Sequence, residues 1–331
     1  MTKAHILEKT ESFVIRYPEA VQFTDDQLSI FWLPNEVNVE KDINSILTEF
    51  SESEKHGVIT TLKLFTLYEL KAGSDYWCGR FIRTFKRPEL QAMASTFGMF
   101  ELAVHKVFYN KINELLHINT DDFYEDYVND PILKSRMDFI DSVVSNKNDL
   151  VSLAGFSIVE GAILYSSFAF LKHFQSQGKN KLTSVVRGIN FSVRDESLHS
   201  IAGAWVFKTL KSQMKLKAVR EDALLDEIIE IAETIYEHES RIIDMIFEKG
   251  DIDGIKKEDM KSFVKSRINI CLNQLGYSDI FTVESNPIAD YFYKGLKNYA
   301  FNDFFVGMSA EYNRNWDETA FTIKGKYKNV E

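Results

Sequence analysis

The chain has 331 residues and a formal net charge of −10, which argues against nucleic acid or an anionic membrane surface as its main partner. Its hydrophobic fraction of 45% is enough for a sizeable core, in one large domain or two ordinary ones. Cys78 and Cys271 are the only cysteines, which excludes a disulfide framework and favours a reducing, cytoplasmic environment. No run of about 18 apolar residues is present and residues 1–18 lack the apolar core of a signal peptide, so we expect neither a membrane span nor secretion.

Helical periodicity dominates the chain, and strand signals are weak throughout. Residues 1–37 are expected to be irregular. No proline lies between Pro131 and Pro287, so this stretch can hold long helices in which every residue keeps its backbone donor. The predicted helices cover 40–53, 55–84, 88–116, 121–145, 148–177, 181–213, 219–248, 256–275 and 287–311. We therefore predict an all-α fold, with one helical domain over 1–312 and a flexible tail over 313–331.

Four of the predicted helices carry a glutamate inside an apolar face. Glu69, for example, shares its helix face with Leu62 and Phe65, and therefore points inward. Two of the four helices add a histidine one turn after the glutamate, on the same face. The resulting set is a lone Glu, a Glu/His pair, a second lone Glu and a second Glu/His pair: Glu69, Glu101, His105, Glu160, Glu196 and His199. This is the set with which a four-helix bundle holds two metal ions.

Charge supports the metal interpretation. Unpaired carboxylates are costly in an apolar interior, and four of them would repel one another strongly. Two divalent cations would balance the charge, and carboxylate with imidazole donors suits iron or manganese. Taken singly, a buried Glu more often pairs with Arg or Lys, and a lone inward His is more often a core residue; the joint pattern on four helices favours metal. His56, His117, His173 and His238 lack such an inward Glu, and His238 is expected on a solvated, charged face.

Several segments resemble the small (beta, radical-generating) subunit of class I ribonucleotide reductase. Residues 193–199, V-R-D-E-S-L-H, are close to that family's R-D-E-x-x-H motif. Residues 31–37, F-W-L-P-N-E-V, resemble its F-W-x-P-x-E-V segment, and residues 160–170 resemble one of its ligand helices. Residues 285–288, 304–305 and 311–312 match segments near the end of the family sequence, in the same order. The likeness therefore runs from about residue 30 to residue 312.

The resemblance implies a ferritin-like four-helix di-metal bundle with additional helices, in which the six residues above bind two ions of iron, manganese or both. It implies that Tyr109, one turn after His105, is the radical tyrosine, and that Trp32 and Asp195 link the metal site to the surface. Such a subunit is a homodimer that generates a tyrosyl or high-valent metal oxidant and passes it to a large (alpha) subunit, which reduces ribonucleotides to deoxyribonucleotides. The tail would dock on that partner, and Tyr327 would continue the radical path.

Some positions depart from the family pattern or leave an alternative open. Glu69 stands where the family usually has Asp, which admits a manganese-containing centre, and Asp75 is a rival ligand with poorer spacing. Glu101 and His105 are four residues apart instead of three, which a local π-bulge could absorb, unless Glu101 simply reaches the site from one turn away. Tyr109 could instead be a core tyrosine whose hydroxyl bonds a ligand carboxylate.

Two other functions use a similar residue set. A ferritin-like di-metal oxidase or acyl desaturase would need a substrate channel that reaches the metals. A metal-storage bundle would be much shorter and would have no use for an inward tyrosine.

Overall fold

The computed structural model describes residues 5–294, apart from the side chain of residue 126, and within this range the predicted all-α class is confirmed. Its only β feature there is an isolated bridge between Ile252 and Ile255. The α-helices are α1 (Pro18–Ser29), α2 (Glu40–Thr48), α3 (Glu52–Leu70), α4 (Ile82–Thr84), α5 (Pro88–Phe100), α6 (Lys106–Leu115), α7 (Asp121–Asn129), α8 (Pro131–Ser145), α9 (Asp149–Ala162), α10 (Tyr165–His173), α11 (Thr183–Met214), α12 (Ala218–Ile246), α13 (Lys257–Leu275) and α14 (Pro287–Lys294).

Two π-helical segments complete two of the long helices. Lys71–Phe81 joins α3 to α4, and Glu101–His105 joins α5 to α6. The result is two continuous rods over 52–84 and 88–115, close to the predicted 55–84 and 88–116. The predicted tail at 313–331 and the end of the last predicted helix lie outside the described residues.

The expectation that residues 1–37 are irregular was wrong, because α1 lies within them. Pro18 occupies the first turn of α1, where its missing N–H costs nothing, and Glu19 follows it there, at the end of the helix dipole that favours an acid. The helix buries Ala20, Phe23 and Gln27 against α5 and α11. The apolar stripe is narrow, and one of its inward positions is polar, so periodicity alone missed this helix.

Local capping divides the predicted helix over 121–145 in two. The Asp130 carboxylate accepts hydrogen bonds from the backbone N–H groups of Ile132 and Leu133, at 2.8 and 3.0 Å. Pro131 fills the first helical position of α8. Because an Asp cap satisfies N–H groups that a helix start leaves open, and Pro favours that start, the chain begins a new helix there.

Helices α9 and α11 approach each other closely at the centre of the molecule. The Oγ atoms of Ser157 and Ser200 each donate to the other residue's backbone carbonyl at 2.7 Å. Gly161 has no room for a larger side chain, since a Cβ there would lie 2.3 Å from Cys271 Sγ. The stretch Asp149–Gly178 is long and apolar enough to cross a membrane by length and composition, but its apolar window is wholly buried, as in a core helix.

Candidate metal centre

Four elements bring the six predicted ligands to one place. Glu69 comes from the last turn of α3, Glu101 and His105 from the π-helical segment that follows α5, Glu160 from α9, and Glu196 and His199 from α11. All six side chains are buried. Their donor atoms form two overlapping clusters in which every atom lies within 4.8 Å of the others: Glu69, Glu101, His105 and Glu196 in one, and Glu101, Glu160, Glu196 and His199 in the other.

Two glutamates are shared between the clusters. His105 Nδ1 lies 3.0 Å from Glu101 Oε2 and 3.3 Å from Glu196 Oε1. His199 Nδ1 lies 2.7 Å from Glu101 Oε1 and 3.8 Å from Glu196 Oε2. Each of these carboxylates therefore presents one oxygen to each histidine. Glu69 belongs only to the His105 cluster and Glu160 only to the His199 cluster.

Several of these buried acceptors have no protein hydrogen-bond partner. Within residues 5–294 this is true of both carboxylate oxygens of Glu69, both of Glu196, and Glu160 Oε2. Leaving buried charged or polar atoms unsatisfied is costly, so such atoms call for an explanation such as an ion. The oxygen and nitrogen donors present here fit two hard or borderline divalent metal ions.

Burial and the neighbouring charges shift the pKa values of the side chains in the two clusters. Burial, together with the neighbouring Glu101 carboxylate, raises the pKa of Glu69 well above its usual range. Burial and the same neighbour also raise the pKa of Glu196. Burial alone would raise the pKa of Glu101 too, but His105 and His199 hold it well below its usual range. Against the opposing effect of burial, Glu101 raises the pKa of His199 to about 9.

Hydrogen bonds beyond the clusters fix which nitrogen each imidazole presents. His105 Nε2 lies 3.0 Å from Asp195 Oδ2, which also accepts from Trp32 Nε1 at 2.8 Å. Gln27 Nε2 donates to Asp195 Oδ1 at 3.1 Å, so its amide oxygen faces His199 Nε2, also at 3.1 Å. Both Nε2 atoms therefore act as donors, so that each imidazole, when it is neutral, offers its Nδ1 lone pair to the clusters, as metal-binding histidines do.

The profile of the family described as "Ribonucleotide reductase, small chain" matches residues 9–287. The chain belongs to this family. It is 24% identical over 301 residues to a probable ribonucleoside-diphosphate reductase small subunit of Invertebrate iridescent virus 3, covering 85% of this chain and 78% of the relative. It is 25% identical over 293 residues to the ribonucleoside-diphosphate reductase 2 subunit beta of Escherichia coli strain K12, covering 86% and 87%.

Solved structures agree on the fold. The dimanganese(II)-NrdF of Streptococcus sanguinis superposes with a TM-score of 0.74 at 21% identity, covering 86% of this chain and 99% of that one. A putative class I ribonucleotide reductase from Bacillus halodurans gives 0.73 at 23% identity, covering 83% and 99%. The predicted ferritin-like bundle with additional helices is therefore confirmed.

The structure shows how this small chain accommodates two of its departures from the family pattern. A π-helical turn lies over Glu101–His105, which is the first of the two alternatives that the spacing of four left open. Asp75 is no rival to Glu69, because it is half-exposed and its Oδ2 lies 3.2 Å from Lys71 Nζ. The six residues thus meet in the way that the sequence pattern predicts for ligands, and their binding of metal stays a prediction.

Tyr109 is fully buried, and its hydroxyl donates to Ser192 Oγ at 2.9 Å, not to a ligand carboxylate. Its ring stacks on Phe65 with 4.3 Å between centroids, and Phe65 in turn stacks on Phe168. Burial and the Glu69 carboxylate raise the pKa of Tyr109 well above its usual range, so the phenol keeps its proton. Tyr327, the other predicted radical tyrosine, lies outside the described residues.

The expectation of a solvated face for His238 was wrong. His238 is buried, with its ring 5.3 Å from that of Phe139. Its neighbour Glu239 turns fully inward, where Arg136 Nε donates to it at 3.3 Å and Ser166 Oγ at 2.5 Å. The acidic sequence around His238 suggested exposure, but a buried arginine from α8 compensates one of those acids.

Sequence reasoning missed two polar contacts of the site. Gln27 escaped because α1 was not predicted, although it lies seven residues after Ala20 and four after Phe23, on their helix face. Trp77, eight residues after Glu69 in the sequence, was not predicted to reach the site. Its Nε1 donates to Glu160 Oε1 at 3.1 Å. An inward aromatic residue with a polar atom was the signal available for Trp77, since a buried indole N–H needs an acceptor.

Proposed function

We propose that this small chain assembles a dinuclear metal centre and uses it to generate an oxidising equivalent for ribonucleotide reduction. The observation that carries the proposal is the pair of overlapping donor clusters, each with one histidine, around two shared glutamates. The unsatisfied carboxylate oxygens in those clusters are the second support, because they are buried where water cannot compensate them.

The ligand assignment follows the clusters. Glu69 and His105 would hold one ion, Glu160 and His199 the other, and Glu101 and Glu196 would bridge them. Four carboxylates and two imidazoles suit iron, manganese or one of each. The structural relative from Streptococcus sanguinis is a dimanganese(II) protein, which makes manganese a metal to test here.

Tyr109 is the proposed store of the oxidising equivalent. When bound, the metal pair supplies the oxidising power that removes one electron from a nearby phenol. Tyr109 holds its proton in a defined hydrogen bond to Ser192 Oγ. The stacked rings of Phe65 and Phe168 exclude water from one side, which protects an oxidised phenol from reduction by solutes.

A second group of contacts supports a path from the metal site outward. Trp32, Asp195 and His105 form a continuous hydrogen-bonded line, and the Trp32 and His105 rings stack at an interplanar angle of 29° with centroids 6.0 Å apart. We propose that this line exchanges electrons with a large subunit, that Tyr327 and the segment 313–331 reach that partner, and that the small chain is a cytoplasmic homodimer.

Metal content and electron paramagnetic resonance test the proposal together. The wild-type chain, loaded with iron or manganese and exposed to dioxygen or a related oxidant, should hold two ions and show a tyrosyl or high-valent metal signal; with a large subunit it should reduce ribonucleotides. Glu196→Ala should lose metal, whereas Glu89→Ala, a buried acid paired with Arg87 far from the clusters, should keep it. If Glu196→Ala retained two ions per chain, the ligand assignment would be wrong.

Tyr109 has its own matched control. Tyr109→Phe should abolish any tyrosyl signal without changing metal content. Tyr127→Phe, which removes another fully buried phenol hydroxyl, should leave the signal intact. A tyrosyl signal that survives in Tyr109→Phe would place the radical on a different residue.

A further inference from the structure

Trp77 contacts the metal centre at the histidine that Trp32 does not reach. Its indole N–H donates to Glu160 Oε1 at 3.1 Å, and its ring lies 5.8 Å from that of His199. Trp32, in contrast, stacks against His105. The small chain therefore places one buried tryptophan at each of the two imidazoles of the proposed centre.

Tyr76 extends the Trp77 side outward. The rings of Tyr76 and Trp77 meet edge to face at 5.0 Å, and Tyr76 stacks on Phe156 at 3.5 Å. Both Tyr76 and Trp77 are about 1% exposed. The Tyr76 hydroxyl has no hydrogen-bond partner within residues 5–294. A buried phenol without a partner is costly, so folding alone does not account for it.

Tyr76 lies directly beneath the protein surface. It lines a small cavity of about 10 Å³ together with Arg80, Thr84 and Asp149. The same three residues line an open groove of about 660 Å³ on the outside. Arg80 Nη2 donates to Asp149 Oδ1 at 2.7 Å, so this ion pair is common to the walls of the cavity and of the groove. Tyr76 thus shares its cavity with residues that also face the groove.

We propose that Tyr76 and Trp77 form a second one-electron path, which lets a small one-electron reductant in the groove discharge the oxidised metal centre. The inference rests on the proposed function, since it requires an oxidised metal pair beside Glu160. The edge-to-face contact of two oxidisable rings and the hydrogen bond from Trp77 to a ligand make the path continuous. It would spare the protein from oxidative damage when no large subunit draws the oxidant away.

Each step of the path moves one electron, and ascorbate, an enediol, is the external donor. Trp77 gives one electron to the oxidised metal pair and keeps its N–H proton in the bond to Glu160. Tyr76 returns one electron to Trp77 and releases its O–H proton to water in the small cavity that it lines. Ascorbate in the groove then gives one electron to the Tyr76 phenoxyl and one proton to bulk water, and the phenoxyl takes its own proton back from the cavity. In sum, ascorbate becomes its one-electron radical, one proton is released, and the metal pair is reduced by one electron.

The test is the rate at which anaerobic ascorbate bleaches the oxidised metal signal of the full-length chain. We expect Trp77→Phe and Tyr76→Phe to be about tenfold slower than wild type, as when one step gains about 1.4 kcal/mol of barrier. Trp205→Phe is the matched control, because Trp205 packs between Tyr17 and Phe23 away from the centre, and it should react at the wild-type rate. Metal content is counted in every variant.

Wild-type rates in Tyr76→Phe and Trp77→Phe with two ions per chain would overturn the path while leaving the proposed function intact. A wild-type chain that binds no metal pair would overturn both. Trp77→Phe removes the hydrogen bond to Glu160 and could lose metal for that reason alone. In that case the bleaching rate of Tyr76→Phe decides whether the path exists. Repeated oxidation without reductant should also add oxygen to Trp77 and Tyr76 in peptide mass spectra, but not to Trp205; equal labelling of Trp77 and Trp205 counts against the path.

Discussion

Gln27 tests how hydrogen bonds outside the metal site position its histidines, because its single amide group contacts both Asp195 and His199. Its Nε2 donates to Asp195 Oδ1 and its Oε1 accepts from His199 Nε2, each at 3.1 Å. Gln27→Met keeps the length of the side chain and removes both contacts. Asp195 then still accepts from Trp32 and His105, whereas His199 Nε2 loses the partner that fixes its ring. The damage should therefore fall mainly on the ion at His199.

The expected size follows from the kind of contact removed. Loss of a hydrogen-bond partner behind a metal-binding histidine commonly weakens metal binding by about 10- to 100-fold. At about 1.4 kcal/mol per factor of ten, this corresponds to about 1.4–2.8 kcal/mol of binding free energy. The ion held by His105 should lose less, because the bond between His105 Nε2 and Asp195 stays in place.

Competition with a metal-chelating dye measures both affinities, with Mn²⁺ as the probe. Gln22→Met is the matched control: it lies on the same helix, and its amide bonds Asp26 instead of the site. Circular dichroism confirms that helix content is kept. Equal Mn²⁺ affinities of Gln27→Met and Gln22→Met would show that His199 needs no such support, and would refute the reasoning.

Three further predictions concern stability. Arg136→Met leaves the buried Glu239 charge unpaired and should lower the free energy of unfolding by about 3–5 kcal/mol in urea titrations. Replacing Glu239 by Met as well should recover much of that loss. Burial lowers the pKa of Lys172 to about 7, so the folded chain binds fewer protons than the unfolded chain above that pH. Stability should therefore rise relative to Lys172→Met as the pH increases from 7 towards 10. Gly161→Ala places a methyl group against Cys271 and should cost about 1–3 kcal/mol in thermal unfolding.

Each of these has an outcome that contradicts it. If Arg136→Met unfolds at the same urea concentration as the wild type, the buried pair of Arg136 and Glu239 does not contribute to the free energy of unfolding. A difference from Lys172→Met that stays flat or falls with pH would mean that this lysine is charged in the folded chain. An unchanged melting temperature in Gly161→Ala would show that α9 can shift without loss.

The ligand set could be predicted because it depends on local periodicity. A carboxylate on an apolar helix face, with a histidine one turn later, is visible within a few residues of sequence, as at Glu196 and His199. Gln27 could not be found in this way, since its role depends on where α1 docks against Asp195. The inward turn of Glu239 likewise depends on Arg136, which lies 103 residues earlier in the chain.

The wide turn at Glu101–His105 bears on how relatives of this protein are recognised. In a regular helix a spacing of four still leaves His105 on the face of Glu101, but one additional residue rotates everything beyond it by about 100°, which would carry Tyr109 away from that face. Here the widened backbone confines that rotation to a single turn, so an additional residue between the two donors does not dismantle the site. A sequence search that demands E-x-x-H at both Glu/His pairs would discard this chain, because only Glu196 and His199 have that spacing; a pattern that also accepts E-x-x-x-H at the first pair would retain it.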